Sequence, residues 1–131
     1  GSMSSTHSAN PIACVAGYEN MKALLEDGYL ENAAELGNVF HKKLNSIKDE
    51  YRHHLRYVFG EGLVAALVFM DDDNQPLASL CDRISELAFR RGLLLVHTGR
   101  ESIKLAPPLS ITKDALLEGL DVLDSCIRDS I

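Results

Sequence analysis

The segment YVFGEGLVAALVFM, residues 57–70, places the strongest constraint on the fold. It is rich in β-branched and aromatic residues, which favour strands, and its uninterrupted apolar run at 63–70 is short for a helix. We predict a strand here, interrupted at 60–62, where two glycines allow a bulge or a close backbone approach. Such a segment excludes an all-helical fold, so the neighbouring segments have to cover it.

Helical patterns lie on both sides of this strand. Asn10 is predicted to cap a first helix over 11–27 that begins at a proline. Apolar residues then recur at steps of three and four over 33–51, which predicts an amphipathic second helix. The same spacing predicts a third helix over 77–88 and a fourth over 112–127.

Two more segments have strand character. LLLVHT at 93–98 is typical of a buried strand, and SIKLA at 102–106 follows it after a turn. Together with the strand at 57–70, they predict an α+β domain. Its sheet would be small, three-stranded and mostly antiparallel, with the helices packed on one face.

Composition argues against nucleic-acid and membrane partners. The net charge is −6 and the basic residues are scattered, whereas a nucleic-acid binder shows a basic face. No apolar stretch approaches the roughly 20 residues needed to span a bilayer. We therefore expect neither nucleic acid nor a membrane as a partner.

The cysteines and histidines do not have metal-ligand spacing. Cys14, Cys81 and Cys126 lie far apart without a C-x-x-C pair, so we predict small buried residues in a reducing, cytoplasmic location. His53 and His54 are adjacent, and on a helix they would point about 100° apart rather than toward one ion. We predict no metal site.

The sequence contains no complete catalytic motif. It lacks the G-x-S-x-G, P-loop, G-x-G-x-x-G and H-E-x-x-H patterns. His97 stands at the end of a predicted strand, where sites often form, but the favoured interpretation is a hydrogen-bonded histidine at a sheet edge.

Five segments, taken in order, resemble the class III aminotransferases, the ornithine/4-aminobutyrate type of pyridoxal-phosphate enzyme. They are STHSANPIACVAGYENM (5–21), LLEDGYLENAAELGNVFHKKL (24–44), GEGLVAALVF (60–69), RRGLLLVHTG (90–99) and IKLAPPLSIT (103–112). The resemblance implies that residues 4–131 are the C-terminal small domain of a fold-type I aminotransferase. Residues 4–27 would lead from a missing large domain, and residues 1–3 would be tag or start residues.

The resemblance also implies where the site residues are. The lysine that holds pyridoxal 5'-phosphate would lie upstream, which leaves no catalytic residue in this chain. Thr6 would donate its hydroxyl to the cofactor phosphate of a neighbouring subunit in a homodimer, and Ser5 would add a backbone contact. Lys104 would bind substrate, at a position where many family members have an arginine that grips a carboxylate. A lysine offers a point charge without the bidentate fork. Phe59 also replaces an arginine that is frequent in the family, and we assign it no role.

The implied parent enzyme moves an amino group from an amine or amino-acid donor to a keto acid, and the isolated chain would be inactive. The lysine at 104 leaves several donors open: a diamine, an ω-amino acid, another amine, or an amino acid held by a looser carboxylate grip. Two other interpretations also stay open. One is a non-catalytic α+β module for ligand sensing or assembly, and the other is a family relative with lyase, decarboxylase or aminomutase chemistry.

Overall fold

Residues 10–131 are described by a computed structural model of the chain. Within these residues the chain forms four helices and four strands. In order they are α1 (Pro11–Glu26), α2 (Tyr29–Glu50), β1 (Leu55–Glu61), β2 (Val64–Phe69), α3 (Ala78–Arg90), β3 (Val96–His97), β4 (Ser102–Leu105) and α4 (Lys113–Arg128). The four helices that the sequence patterns predict are therefore present.

The strands form one sheet in the order β1-β2-β4-β3, and each neighbouring pair is antiparallel. The predicted α+β class is confirmed, but the prediction of three strands is wrong. Residues 57–70 belong to a hairpin of β1 and β2 rather than to one interrupted strand. Gly60 and Gly62 have φ angles of 130° and 57°, which let the chain reverse where a side chain would be strained.

Helices α2, α3 and α4 cover one face of this sheet. The strand residues that face them are buried: Leu55, Ala65, Leu67, Phe69, Ile103 and Leu105. They share a single core with the predicted apolar stripes of α2 and α4. The alternating residues lie on the opposite side, which we call the open face: Tyr57, Phe59, Glu61, Val64, Ala66, Val68, Val96, Ser102 and Lys104. The predicted packing of helices on one face is confirmed.

Helix α2 approaches the β1–β2 turn with no side chain between the two backbones. A Cβ atom built on Gly37 would lie 2.7 Å from the Cα atom of Gly62. The close backbone approach predicted at 60–62 is therefore confirmed, and its partner is a glycine on the second helix.

The segment 93–98 differs from the prediction of a buried strand. Only Val96–His97 pairs as a strand, at the edge of the sheet. Leu94 is 80% exposed and Val96 56% exposed. One face of this edge strand is uncovered, so alternate residues contact solvent. Leu94 and Val96 are therefore exposed although both are apolar.

Helix α1 begins where the sequence predicts. The Asn10 side chain accepts hydrogen bonds from the backbone N–H groups of Ile12, at 2.9 Å, and Ala13, at 3.4 Å. None of the residues of α1 is buried, however. The helix is locally well specified but contributes nothing to the core.

Candidate functional site

Lys104 lies in the middle of β4 and its side chain is on the open face. The strand register places it in a row that crosses the whole sheet: Phe59 pairs with Ala66, Ala66 with Lys104, and Lys104 with Val96. Neighbouring strands are about 4.8 Å apart, so Phe59 and Lys104 are about 10 Å apart between Cα atoms. Two positions where the resembling family often carries arginine are thus brought into one row.

The surroundings of Lys104 on this face are apolar. Ala66 and Val96 flank it, and Phe59 is 58% exposed and stacks on Tyr57 with ring centroids 5.5 Å apart. None of the ion pairs formed among residues 10–131 includes Lys104. The row therefore carries one positive charge that has no ion-pair partner among residues 10–131, on a face that also holds Glu61 and Ser102.

A cleft of about 370 Å³ adjoins Lys104 at the edge of the sheet. Its walls are the segments 93–96 and 104–108 and the side of α4 that carries Leu116, Gly119 and Leu120. Apart from Lys104, no residue that lines it has a polar side chain. Because the Lys104 side chain is on the open face, the α4 side of the cleft is lined by apolar residues alone.

The lysines of the chain do not by themselves form an attachment site for pyridoxal phosphate. A lysine that forms a Schiff base has to be held deprotonated by its surroundings. None of the six lysines is buried. Lys43 donates to Asp121 at 2.8 Å, and this bond raises the pKa of its amine, the opposite of what the chemistry needs. Residues 10–131 therefore do not fit a complete cofactor site.

Ser5 and Thr6, the predicted phosphate-binding residues, lie outside the described residues. Their assignment stays a prediction. The structure does show that helix α1 starts five residues after Thr6 in sequence, at Pro11 with Asn10 as its cap.

His97, at the end of β3, is half-buried. Its Nδ1 atom is 2.9 Å from Asp82 Oδ1 on α3, and its Nε2 atom is 2.9 Å from the carbonyl oxygen of Arg100. Both ring nitrogens are engaged in holding the β3–β4 turn to α3. This agrees with the predicted hydrogen-bonded edge histidine and leaves no free nitrogen for catalysis.

The cysteines divide into two groups. Cys81 and Cys126 are buried as predicted, and burial raises the pKa of the Cys81 thiol to about 12, which keeps it protonated. Cys14 is exposed, so its predicted burial is wrong. The reason is that it lies on α1, none of whose residues is buried among the described residues.

The cleft and the row around Lys104 could not be found from the sequence. Four consecutive apolar residues at 93–96 do not show which of them face the core. The structure shows that residues 94 and 96 are exposed, whereas 93 and 95 are half-buried. This alternation, seen only in the structure, marks the open face of the sheet.

No helix within residues 10–131 has the length and apolar character to cross a membrane.

Comparison with known proteins gives consistent results. The family model described as Aminotransferase class-III matches residues 1–127. The chain is 37% identical over 128 residues to the acetylornithine aminotransferase of Prochlorococcus marinus, covering 98% of this chain and 30% of that protein. It is 28% identical over 133 residues to an alanine/serine racemase of Pyrococcus horikoshii, covering 100% of this chain and 28% of the racemase.

Solved structures agree on the fold. The acetylornithine aminotransferase of Elizabethkingia anophelis superposes with a TM-score of 0.80 at 29% identity, covering 98% of this chain and 31% of that structure. The chain thus spans less than a third of the length of these relatives.

Proposed function

The chain belongs to the class-III aminotransferase family, and from this premise we propose that it is the C-terminal small domain of a pyridoxal-phosphate-dependent aminotransferase. The parent would move an amino group from an amine or amino-acid donor to a keto acid. The observation that carries the proposal is the match of the family model to residues 1–127. The domain would comprise residues 4–131, with 4–27 leading from a large domain.

The large domain has to supply what this chain lacks. The cofactor, when bound, supplies the electron sink, and it needs a buried lysine that none of the six here provides. This chain's contribution is Lys104, which would bind the substrate carboxylate through its ammonium. Lys104 and its row are exposed in this chain, so the large domain would have to cover them for the exclusion of water to strengthen that ion pair.

We assign Thr6, and with it Ser5, to the cofactor phosphate of a neighbouring subunit. The assignment comes from the resemblance and makes the parent a homodimer whose sites lie between subunits. We also propose a cytoplasmic location for the parent, because its cysteines in this chain lie far apart without a C-x-x-C pair.

Borohydride trapping tests whether the lysine that binds the cofactor lies in the large domain and not in this chain. The isolated chain is incubated with pyridoxal phosphate, reduced, and mapped by mass spectrometry. We expect no stoichiometric adduct at any lysine, whereas the parent should carry one adduct per subunit on a lysine upstream of this chain. Stoichiometric labelling of Lys104 in the isolated chain would refute the proposal.

Substitution in the parent tests the role of Lys104. Lys104→Gln should raise KM for a carboxylate substrate about tenfold, the range of a hydrogen bond to a charged group. Lys104→Arg should retain the low KM. Lys113→Gln, at the exposed start of α4, is the matched control and should change nothing. Equal KM values for Lys104→Gln and the control would remove Lys104 from the site.

A second activity is favoured by the similarity to a protein named alanine/serine racemase. The parent could invert an amino acid rather than transfer its amino group. Incubation of L-alanine with the parent, with and without a keto acid, separates the two. Formation of D-alanine without a keto acid would support racemisation, and strict dependence of turnover on the keto acid would support transamination. A gene with no large domain beside this segment would favour a non-catalytic module instead.

A further inference from the structure

We propose that His97 is a pH-sensitive clamp. While its ring carries two protons it ties the β3–β4 turn to α3, and the loss of one proton releases the edge strand β3. The inference goes beyond the proposed function and does not depend on it. Three features of the described residues carry it: the acceptors at the two ring nitrogens, the charges around the ring, and the weak hold of β3 on the sheet.

Both ring nitrogens of His97 face oxygen atoms that accept protons in hydrogen bonds. Nε2 is 2.9 Å from the carbonyl oxygen of Arg100, and Nδ1 is 2.9 Å from Asp82 Oδ1. Neither a carbonyl nor an ionised carboxylate has a proton to donate, so each nitrogen has to supply one. A neutral ring has a single N–H and would place its other nitrogen, with a lone pair, against the lone pairs of an oxygen. The two contacts together therefore require the doubly protonated ring.

The charges near the ring single out one anionic partner. The ionisable residues that face it are Asp82 and Cys81 on α3, and Arg100 and Glu101 in the turn that leads to β4. Burial, followed by the charges of Asp82 and Glu101, raises the pKa of the Cys81 thiol to about 12, so this thiol stays protonated. Glu101 Oε2 is 3.5 Å from Arg100 Nε, which compensates its charge. Asp82 is thus the carboxylate that compensates a positive ring.

Strand β3 is weakly held by the rest of the sheet. It lies at the edge and pairs with β4 through two residues only. Val96 is 56% exposed, so burial of its side chain contributes little. Strand β4, in contrast, also pairs with β2 and buries Ile103 in the core. Loss of the tie through His97 should therefore free β3 and its turn while the other three strands stay in place.

The release would act on one edge of the candidate site. Residues 93–96 form a wall of the cleft, and Val96 pairs with Lys104 on the open face. When β3 is free, both this wall and this flank of Lys104 lose their fixed position. The clamp would thus make the order of this edge depend on pH.

The test is NMR spectroscopy of the isotope-labelled 131-residue chain from about pH 5 to about pH 8, the range in which histidine changes its charge. The ring nitrogen shifts of His97 should report two N–H groups at the acidic end and one at the alkaline end. The Thr98 N–H donates to the Ser102 carbonyl. Its protection against exchange, relative to an unstructured chain at the same pH, should fall about tenfold, the factor of one hydrogen bond to a charged group. Amides of the β1–β2 hairpin should keep their protection.

A second histidine–aspartate pair supplies the matched control. His53 Nδ1 is 2.9 Å from Asp72 Oδ1, and the His53 side chain is 60% exposed. His97→Gln should give low protection of the Thr98 N–H at every pH, whereas His53→Gln should leave the profile of the unaltered chain. Asp82→Asn, which keeps an acceptor oxygen but removes the charge, should move the loss of protection to lower pH. Circular dichroism establishes that each variant is folded.

Several results would overturn the proposal. Two of them concern the unaltered chain and hold even where a variant does not fold: a His97 ring that keeps the same number of N–H groups over this pH range, and Thr98 protection that does not change with pH. The others are a normal pH profile in His97→Gln, and a loss of the profile in His53→Gln as complete as in His97→Gln. None of these measurements involves amino-group transfer, so the proposed function is judged separately by the trapping and substitution experiments on the parent.

Discussion

Two helices that follow each other in the chain have opposite relations to the core. Helix α2 buries Leu36, Gly37, Phe40, Leu44 and Ile47 against the sheet and α4. Helix α1, one short turn earlier, buries nothing. Its large apolar side chains are exposed: Ile12, Val15, Tyr18, Met21 and Leu25.

The difference shows that helix formation and packing are specified separately. Asn10 and Pro11 start α1 without help from the core, because a cap and a first-turn proline act locally. α1 contacts α2 through its C-terminal half, where Ala23 and Leu24 are half-buried, but its large exposed side chains are not covered within residues 10–131. This agrees with a chain that spans less than a third of its relatives, and it makes α1 the natural contact with the proposed large domain.

The largest predicted contrast concerns one leucine in each helix. Leu44 is 0% exposed and Leu25 is 72% exposed. Leu44→Ala should lower the free energy of unfolding by about 2–5 kcal/mol, because it leaves a cavity. Leu25→Ala should change it by less than about 0.5 kcal/mol. Urea denaturation of the isolated chain measures both, and comparable losses would mean that α1 is packed in solution.

Glycine-to-alanine substitutions give a second contrast, because the same change should destabilise α2 and stabilise α1. Gly37→Ala would bring a Cβ atom to 2.7 Å from Gly62 Cα, against a backbone that cannot move aside easily. We expect a loss of about 1–3 kcal/mol, despite the better helix propensity of alanine. Gly17 has nothing within 4 Å of its built Cβ atom, so Gly17→Ala should only raise the helicity of α1. Thermal melts and far-ultraviolet dichroism report the two effects, and stabilisation by Gly37→Ala would contradict the close approach.

The sequence predicts the features of the fold that depend on nearby residues, and it does not predict those that depend on contacts between distant segments. The caps at Asn10 and Thr112 and the stripe of α2 were predictable, since each depends on residues within a few positions. The hairpin at Gly60–Gly62 was not, because composition does not show whether glycine makes a bulge or a reversal.

The site depends on pairing at long range. Lys104 could be singled out only through the family resemblance. Its row with Phe59 is formed by two strand pairings, and the cleft depends on which face of segment 93–96 is covered. Such properties are set by the tertiary packing and not by any short stretch of residues.

A third contrast, in the pH dependence of stability, compares a buried tyrosine near the end of α2 with an exposed tyrosine on α1. Tyr51, at the end of α2, is buried and donates to Asp124 Oδ1 at 2.8 Å, and burial followed by this bond raises its pKa above the ordinary value of 10.0. The folded state thus holds the phenol proton more tightly than the unfolded state. The stability from Tyr51 is complete below pH 10 and is lost as the pH rises above it.

Tyr51→Phe should cost about 1.5 kcal/mol at neutral pH and flatten the decline in stability above pH 10. Tyr18 on α1 is 67% exposed, and Tyr18→Phe is the control that should leave the pH profile unchanged. Urea titrations at a series of pH values measure the free energy of unfolding of each variant and so test this prediction. A decline that persists fully in Tyr51→Phe would assign it to other groups.

The smallest contrast compares the two N-caps. Asn10 caps α1, and Thr112 caps α4 by accepting from the Ala115 N–H at 3.3 Å. Each cap is worth about 1 kcal/mol to its helix. Because α4 unfolds with the core, Thr112→Ala should lower global stability by about that amount. Asn10→Ala should instead let α1 fray, with faster amide exchange at its first turn and an unchanged urea midpoint. An equal shift of the midpoint by both variants would show that α1 unfolds together with the core, and the separation between the two helices would then disappear.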